Sequence, residues 1–216
     1  MSALFAYPKR AKFDRMVSKT KLFSYEKATP RIRDLFSDQV EQVRWIYKLA
    51  PETINLMASK NVPEIQIFNL RLKGEELDDD VLRHIDKAIA FPIIFELAYG
   101  DNRKAVASPK WQGGKPGKHY YASNWVAEQS ERQVLPVATN LEGLYSQLLQ
   151  SLMPYKGRDY EGLFELNARI EEIRSLEKRC ESLRSKIGKE KQFNRRVEFN
   201  RELKKTSEHL SELIHG

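Results

Sequence analysis

Glu64-Ile65-Gln66-Ile67-Phe68-Asn69-Leu70-Arg71-Leu72 is the stretch on which the fold turns. Pro63 precedes it, and β-branched and aromatic side chains fill its first half. Near its middle both alternating sets are apolar, which predicts a strand covered on both faces and central in a sheet. Downstream, Asp78-Asp79-Asp80 open a helix with carboxylates near the positive end of its dipole. Leu77, Val81, Leu82, Ile85 and Ile89 make its buried face. Pro92-Ile93-Ile94-Phe95-Glu96-Leu97 reads as a second strand. Gly100-Asp101-Asn102 is turn chemistry, and Lys104 to Ala107 is the returning strand of a hairpin. The basic, glycine-rich loop Gln112 to Lys118 lacks the Gly-Lys-Ser/Thr ending of a phosphate-binding loop and reads as a hairpin tip. His119 to Val126 is another strand, and Glu128 to Asn140 is a polar linker. A helix carrying Leu141, Leu144, Tyr145, Leu148, Leu149 and Leu152 ends at Pro154-Tyr155-Lys156-Gly157, the expected domain boundary. Residues 31–155 are therefore expected to form a compact α+β domain, a mixed sheet with packed helices.

Upstream, Pro30 opens a helix in which Ile32, Leu35, Phe36, Val40, Val43, Ile46 and Tyr47 fall at helical spacing, with Pro51 as a stop. Its tail, Val43 to Leu49, is β-branched and aromatic and reads equally as a strand. Residues 1–30 show no periodicity and are expected to be a basic arm. Its aromatics Phe5, Tyr7, Phe13, Phe23 and Tyr25 would dock on the main domain, or stack on bases.

Residues 156–216 are written differently. Tyr160 to Ile214 contains no proline and only Gly162 and Gly188. Leu166, Ile173, Cys180 and Ile187 repeat by seven, with Leu176 and Leu183 offset by three, the seam of a helix seeking a partner helix. Phe193, Val197, Leu203, Leu210 and Ile214 make a weaker second seam with Asn200 on or beside it, where a buried Asn would fix register. Two geometries satisfy the pattern: an antiparallel hairpin turning near Gly188, or one unbroken helix that dimerises. A glycine among lysines is a poor mid-helix choice and favours the hairpin.

A charged fraction of 31% against 41% apolar suits a globular domain with an exposed helical arm. The longest apolar run, Ala88 to Phe95, is broken by Pro92 and is strand-sized, so no membrane span or signal peptide is expected. The single cysteine, Cys180, suits a reducing cytoplasm and sits on the seam as a packed hydrophobe. The net charge of +7 is unevenly spread. Residues 1–33 carry nine Lys/Arg against Asp14 and Glu26, the middle is mildly acidic, and around Gly188 six cations face only Glu190. Such patches attract phosphate backbones by counterion release. The candidate nucleic-acid contacts are Lys9, Arg10, Lys12, Lys19 and Lys21, then Lys186, Lys189, Lys191, Arg195 and Arg196. They would position DNA or RNA rather than read its bases.

The ordered string Lys48-Leu49-Ala50-Pro51-Glu52-Thr53-Ile54-Asn55-Leu56, Glu64 to Phe68, Leu72-Lys73, Leu82 with Ile85-Asp86-Lys87, Pro92 to Phe95, and Tyr120-Tyr121 with Trp125 resembles the bacterial family known as domain of unknown function 4391. The resemblance covers about residues 7–155. It implies a companion of helicases and DNA methyltransferases in restriction-type and anti-phage defence loci, and it supplies no catalytic residues.

The enzyme suited to such a setting, a metal-dependent nuclease, needs two carboxylates for Mg²⁺ and a lysine near the attacking water. Glu64-Ile65-Gln66 has glutamine where that lysine belongs, and Glu96 also lacks one, although Lys104 on the next strand could approach it. Asp86 is followed directly by Lys87 on a helix. Glu64, Gln66 and Glu96 are therefore the candidates for a degenerate site. His84, His119, His209 and His215 are scattered without metal-ligand spacing, and no cofactor is expected. The expected function is a non-catalytic accessory protein that holds a helicase or methyltransferase through its helical arm and nucleic acid through its basic surfaces. A divergent nuclease and a coiled-coil assembly scaffold are the alternatives.

Overall fold

The computed structural model describes residues 4–111 and 113–215, so Gln112 of the basic loop and the first three residues of the arm lie outside it. The chain divides into two compact units, Met1–Met153 and Pro154–Gly216.

In chain order the first unit contains β1 (Phe5–Ala6), a 3₁₀ turn (Lys9–Ala11), β2 (Lys12–Met16), α1 (Lys19–Tyr25), α2 (Pro30–Gln39), β3 (Val40–Leu49), α3 (Pro51–Ile54) and β4 (Ile65–Leu72). There follow α4 (Asp79–Ala88), β5 (Ile93–Tyr99), β6 (Asn102–Ala107), β7 (Tyr121–Ala122), β8 (Val126–Ala127), β9 (Gln133–Val134) and α5 (Leu141–Gln150). The main sheet runs β2-β3-β4-β5-β6-β7, with β8 also on β6. β4 and β5 are parallel and joined through α4, and the other pairs in this sheet are antiparallel. The expected α+β class with a mixed sheet is what the chain adopts.

β4 is central and covered on both faces. Phe68, Leu70 and Leu72 join Val43, Phe95 and Leu97 in a core closed by Leu22 of α1, Phe36 of α2 and Val81, Leu82 and Ile85 of α4. Ile65 and Ile67, on the opposite face, are also fully buried. Each such side chain contributes about 1.5–3 kcal/mol, so this strand anchors the unit. Local chemistry sets the helix starts. The Thr29 hydroxyl accepts from Ile32 N–H at 3.3 Å with Pro30 behind it, and the Asp78 carboxylate accepts from Asp80 N–H at 2.9 Å.

The structure corrects three expectations. The helix opened by Pro30 ends at Gln39 instead of continuing to Tyr47. The β-branched run after it becomes β3, packed between β2 and β4. Lys19 Nζ donates to the Phe36 carbonyl at 2.9 Å and to that of Val40, placing an ammonium at the negative end of α2. The strand expected over 119–126 is split into β7 and β8, because the Ser123 hydroxyl accepts from Ala105 N–H at 3.0 Å in place of a backbone carbonyl. The first thirty residues are not a separate arm. β2 is the edge strand of the main sheet, and β1 pairs in parallel with β9 inside the expected linker. Four of the five aromatics dock within the unit, Phe13 on Trp45, Tyr7 on Tyr47, Phe23 on Phe36 and Phe5 buried, whereas Tyr25 is exposed instead of docked. Asp14, at φ 52°, sits where the β2 register slips. This bulge, with the Arg44–Asp14 ion pair, bends an edge that would otherwise invite a further strand.

The second unit is α6 (Leu163–Lys189) and α7 (Phe193–His215), joined by three residues into an antiparallel hairpin. Arg179 bonds Glu202 at 3.1 Å and His209 bonds Glu172 at 3.0 Å, which fixes the register. The buried seam of α6 is Leu163, Leu166, Ile170, Ile173, Cys180 and Leu183. Asn200 does not lie in this seam; it is exposed and bonds back to the Arg196 carbonyl at 2.8 Å. The buried polar residue of α7 is Thr206, its hydroxyl bonded to the Glu202 carbonyl at 2.9 Å. At the open end Arg169 is 8% exposed, paired with Glu161 at 2.6 and 2.8 Å, and donates to the carbonyls of Lys156 and Leu213. Arg158 also donates to the Leu213 carbonyl, at 2.8 Å, so two guanidiniums close the α7 C-terminus. Among the described residues no helix is long and apolar enough to cross a membrane.

Candidate nucleic-acid interface

The 27 residues of α6 make a rod about 40 Å long at 1.5 Å per residue, with the turn at one end. Lys186 and Lys189 lie in its last turn, Lys191 in the connection, and Arg195 and Arg196 in the first turn of α7; all five are exposed. Gly188 falls inside the last turn of α6, so the chain reverses over 190–192. Glu190 is the carboxylate of this tip. One of its oxygens accepts from Gln192 N–H at 2.9 Å, and the other is 3.9 Å from Arg195.

The two ends of this turn differ electrostatically. Lys186 and Lys189 complement the negative end of α6 and have a structural reason to be there. Arg195 and Arg196 stand at the positive end of α7, which has no acidic residue in its first turn. Each such cation costs the helix about 0.3–1 kcal/mol. Beside them Phe193 is 77% exposed and Val197 50% exposed, and Lys186 lies 5.9 Å from the Phe199 ring. Cations around an uncovered aromatic ring, held at a site that lowers helix stability, form a surface suited to an anionic ligand with planar groups.

The five amino-terminal candidates are not assembled in the same way. Lys9 and Arg10 are exposed on the 3₁₀ turn. Lys12 lies 3.6 Å from Asp14. Lys19 is occupied by the α2 carbonyls, and burial lowers its ammonium pKa. Lys21 opens on an apolar cavity under α1, whereas Lys12 lines a different, charged one.

The carboxylates considered for metal chemistry are kept apart. In the parallel ladder Gln66 pairs with Ile93 and Asn69 with Glu96. The three-residue offset puts Glu96 on the face of the sheet opposite Gln66 and Glu64. Glu64 accepts from the Gln66 amide and lies 3.4 Å from Lys48. Glu96, 2% exposed, is held bidentately by Arg132 at 2.8 and 2.9 Å. The same guanidinium donates to the Phe5 carbonyl at 3.0 Å, tying β1 and β9 to the main sheet. Next to this pair the Tyr7 hydroxyl pKa is pushed far up, first by burial and then by the Glu96 charge. Among the described residues no three of His, Cys, Asp and Glu gather as a metal would require. His84 is buried against Phe23 and Phe36, and burial lowers its pKa. Cys180 is buried in the α6 seam.

A second buried network has no counterpart in the sequence reading. Lys110, fully buried, donates from Nζ to the Asp86 carbonyl at 2.7 Å, the Ile89 carbonyl at 2.8 Å and Asp86 Oδ1 at 3.1 Å. Three acceptors match the three donors of an ammonium. Tyr120 donates to Asp86 Oδ2 at 2.6 Å, and the Tyr145 hydroxyl accepts from Lys110 N–H and donates to the Ser108 carbonyl. Burial pushes the Asp86 carboxyl up and the Lys110 ammonium down, and their mutual attraction opposes both shifts. With every member hydrogen-bonded, and with Asp86, Lys110 and Tyr145 buried while Tyr120 is partly exposed, this group fastens the end of α4 to the segment after β6. Its one sequence signal is Asp86 itself, a carboxylate four residues from Leu82 inside an apolar stripe.

The profile of the family described as Domain of unknown function (DUF4391) matches residues 5–210, both units nearly to their ends. The chain belongs to that family. No curated protein and no solved structure matches it. The DUF4391 match thus covers the sheet and the hairpin together.

Proposed function

We propose that this DUF4391 protein is a non-catalytic accessory component of a bacterial restriction-type or anti-phage defence system, which grips nucleic acid with the tip of its helical hairpin. The observation that carries this reading is the placement of Arg195 and Arg196 beside exposed Phe193 at the positive end of α7, with Glu190 as the acidic counterpart. These cations weaken the helix they sit on, so a ligand anion is the group that compensates them. Long paired helices with charged flanks also suit a protein partner, and the helicase or methyltransferase of such a locus is the partner proposed.

Fluorescence anisotropy with labelled single-stranded and duplex DNA across a salt series tests the nucleic-acid half. Engagement of the five tip cations gives a slope of log K against log salt of about −4 to −5 for duplex and about −3.5 for single strands. No binding, or binding indifferent to salt, would refute the reading.

A further inference from the structure

The first unit holds a cavity that the hairpin reading does not use. It has a volume of about 570 Å³ and lies on the helix face of the sheet, between α1 and the loop entering β5. That is within the roughly 300–1,000 Å³ of small-molecule sites. Its wall is aromatic. The Phe13 and Trp45 ring centroids are 4.1 Å apart, and Phe68 lies parallel to Trp45 at 6.0 Å. The indole is fixed by a 2.8 Å bond from Nε1 to the Tyr47 carbonyl. Exposed Met16 (67%) and Tyr25 (75%) leave the rim greasy and uncovered.

Polar groups also line the cavity, at separate places. Gln66, only 4% exposed, and Glu64 line it from the start of β4 and are bonded to each other. Arg15, its guanidinium carbon 4.5 Å from the Phe13 ring centroid, and Lys21 on α1 supply two exposed cations. Glu64 already accepts from the Gln66 amide and has Lys48 at 3.4 Å, but a carboxylate has lone pairs beyond those two contacts, and a purely apolar occupant would seal them from water without a donor of its own, which is costly. The occupant therefore needs a flat aromatic face, a hydrogen-bond donor on its edge and a negative charge at its other end.

We propose that this cavity binds a nucleoside 5′-phosphate whose base carries an exocyclic amine, as in adenine. The base lies against the Trp45 wall, its amine donates to Glu64 and Gln66, and the phosphate meets Arg15 and Lys21. The site belongs to the first unit, so it stands or falls independently of the hairpin tip.

Titrating the full chain with AMP, IMP, adenosine and ribose 5-phosphate by calorimetry, with tryptophan fluorescence in parallel, tests this directly. AMP should bind saturably and change the Trp45 signal, a change absent from Trp45→Phe. IMP, which has no exocyclic amine, should bind about tenfold more weakly, as expected for losing a bond to a charged acceptor. The exposed pair Arg15→Ala/Lys21→Ala should weaken AMP at least about tenfold and leave adenosine unchanged, because only the phosphate meets those cations. A 5′-phosphorylated oligodeoxyadenylate identifies the source: stronger binding than AMP assigns the end of a strand, equal or weaker binding a free nucleotide. No saturable AMP signal at millimolar concentration, equal affinity for AMP and IMP, or AMP affinity unchanged in the double variant would overturn the proposal.

Discussion

Replacing Lys110 by Met tests the reading that the buried Asp86 network is structural. The substitution keeps the length of the side chain and removes the ammonium. It leaves the Asp86 carboxylate, 1% exposed, with Tyr120 as its one hydrogen-bond partner in that network. It also strips a donor from the carbonyls of Asp86 and Ile89. Breaking one side of a buried pair costs about 3–5 kcal/mol, a large share of the roughly 5–15 kcal/mol that holds a domain together. The pH dependence identifies the cause. Without Lys110 the folded-state pKa of Asp86 rises further above its unfolded value near 3.9, so the native state binds the extra proton. Stability must then fall as pH rises from about 4 towards the raised folded pKa, by up to about 1.4 kcal/mol per unit. Lys110→Met/Asp86→Asn should remove that slope and regain most of the loss. All three tryptophans, Trp45, Trp111 and Trp125, lie in the first unit, so urea unfolding followed by tryptophan fluorescence isolates it from the hairpin. A loss below about 1 kcal/mol, or an identical loss at about pH 5 and about pH 8, would refute the argument.

Phe193→Ala should lower single-strand affinity by about 1–3 kcal/mol if the ring stacks on bases, with duplex binding and hairpin helicity by circular dichroism nearly unchanged. The His209 pKa is raised by Glu172, so the contribution of that contact is fully present below the unfolded imidazole pKa of about 6.5 and is lost as pH rises through the folded value. NMR titration should show the elevated pKa, and Glu172→Gln should bring it back down. Supercoiled plasmid incubated with Mg²⁺ or Mn²⁺ should stay intact, because Glu96 lies across the sheet from Glu64. Nicking that disappears in Glu64→Ala would reinstate the nuclease.

What could be read from the chain follows the range of the interactions involved. β4 and the hairpin were legible because their signals are local: a doubly apolar run through Ile67 and Phe68, and a seam that alternates steps of three and four from Leu163 to Ile173. The end of the Pro30 helix was ambiguous because Val40, Val43 and Tyr47 keep helical spacing while Val43 to Leu49 is β-branched and aromatic, and strand partners on either side decide for the strand. The amino-terminal strands were hidden by their shortness and by the bulge at Asp14, which breaks the alternation of β2. At the candidate sites, the five tip cations, Lys186 to Arg196, cluster within eleven residues and showed in the sequence. Glu96 and Arg132 meet across 36 residues and Asp86 and Lys110 across 24, and no local pattern announces either pair. The aromatic cavity draws on β2, α1, β3 and β4 together, so only the assembled sheet displays it.

The central claim is that the hairpin tip is a phosphate-binding surface. The most direct measurement compares the salt dependence of DNA binding by the natural chain and by Arg195→Gln/Arg196→Gln at equal helicity. Loss of two phosphate contacts should flatten the duplex slope by about 1.8 and weaken binding evenly across sequences. Equal slopes for the two proteins would contradict the claim.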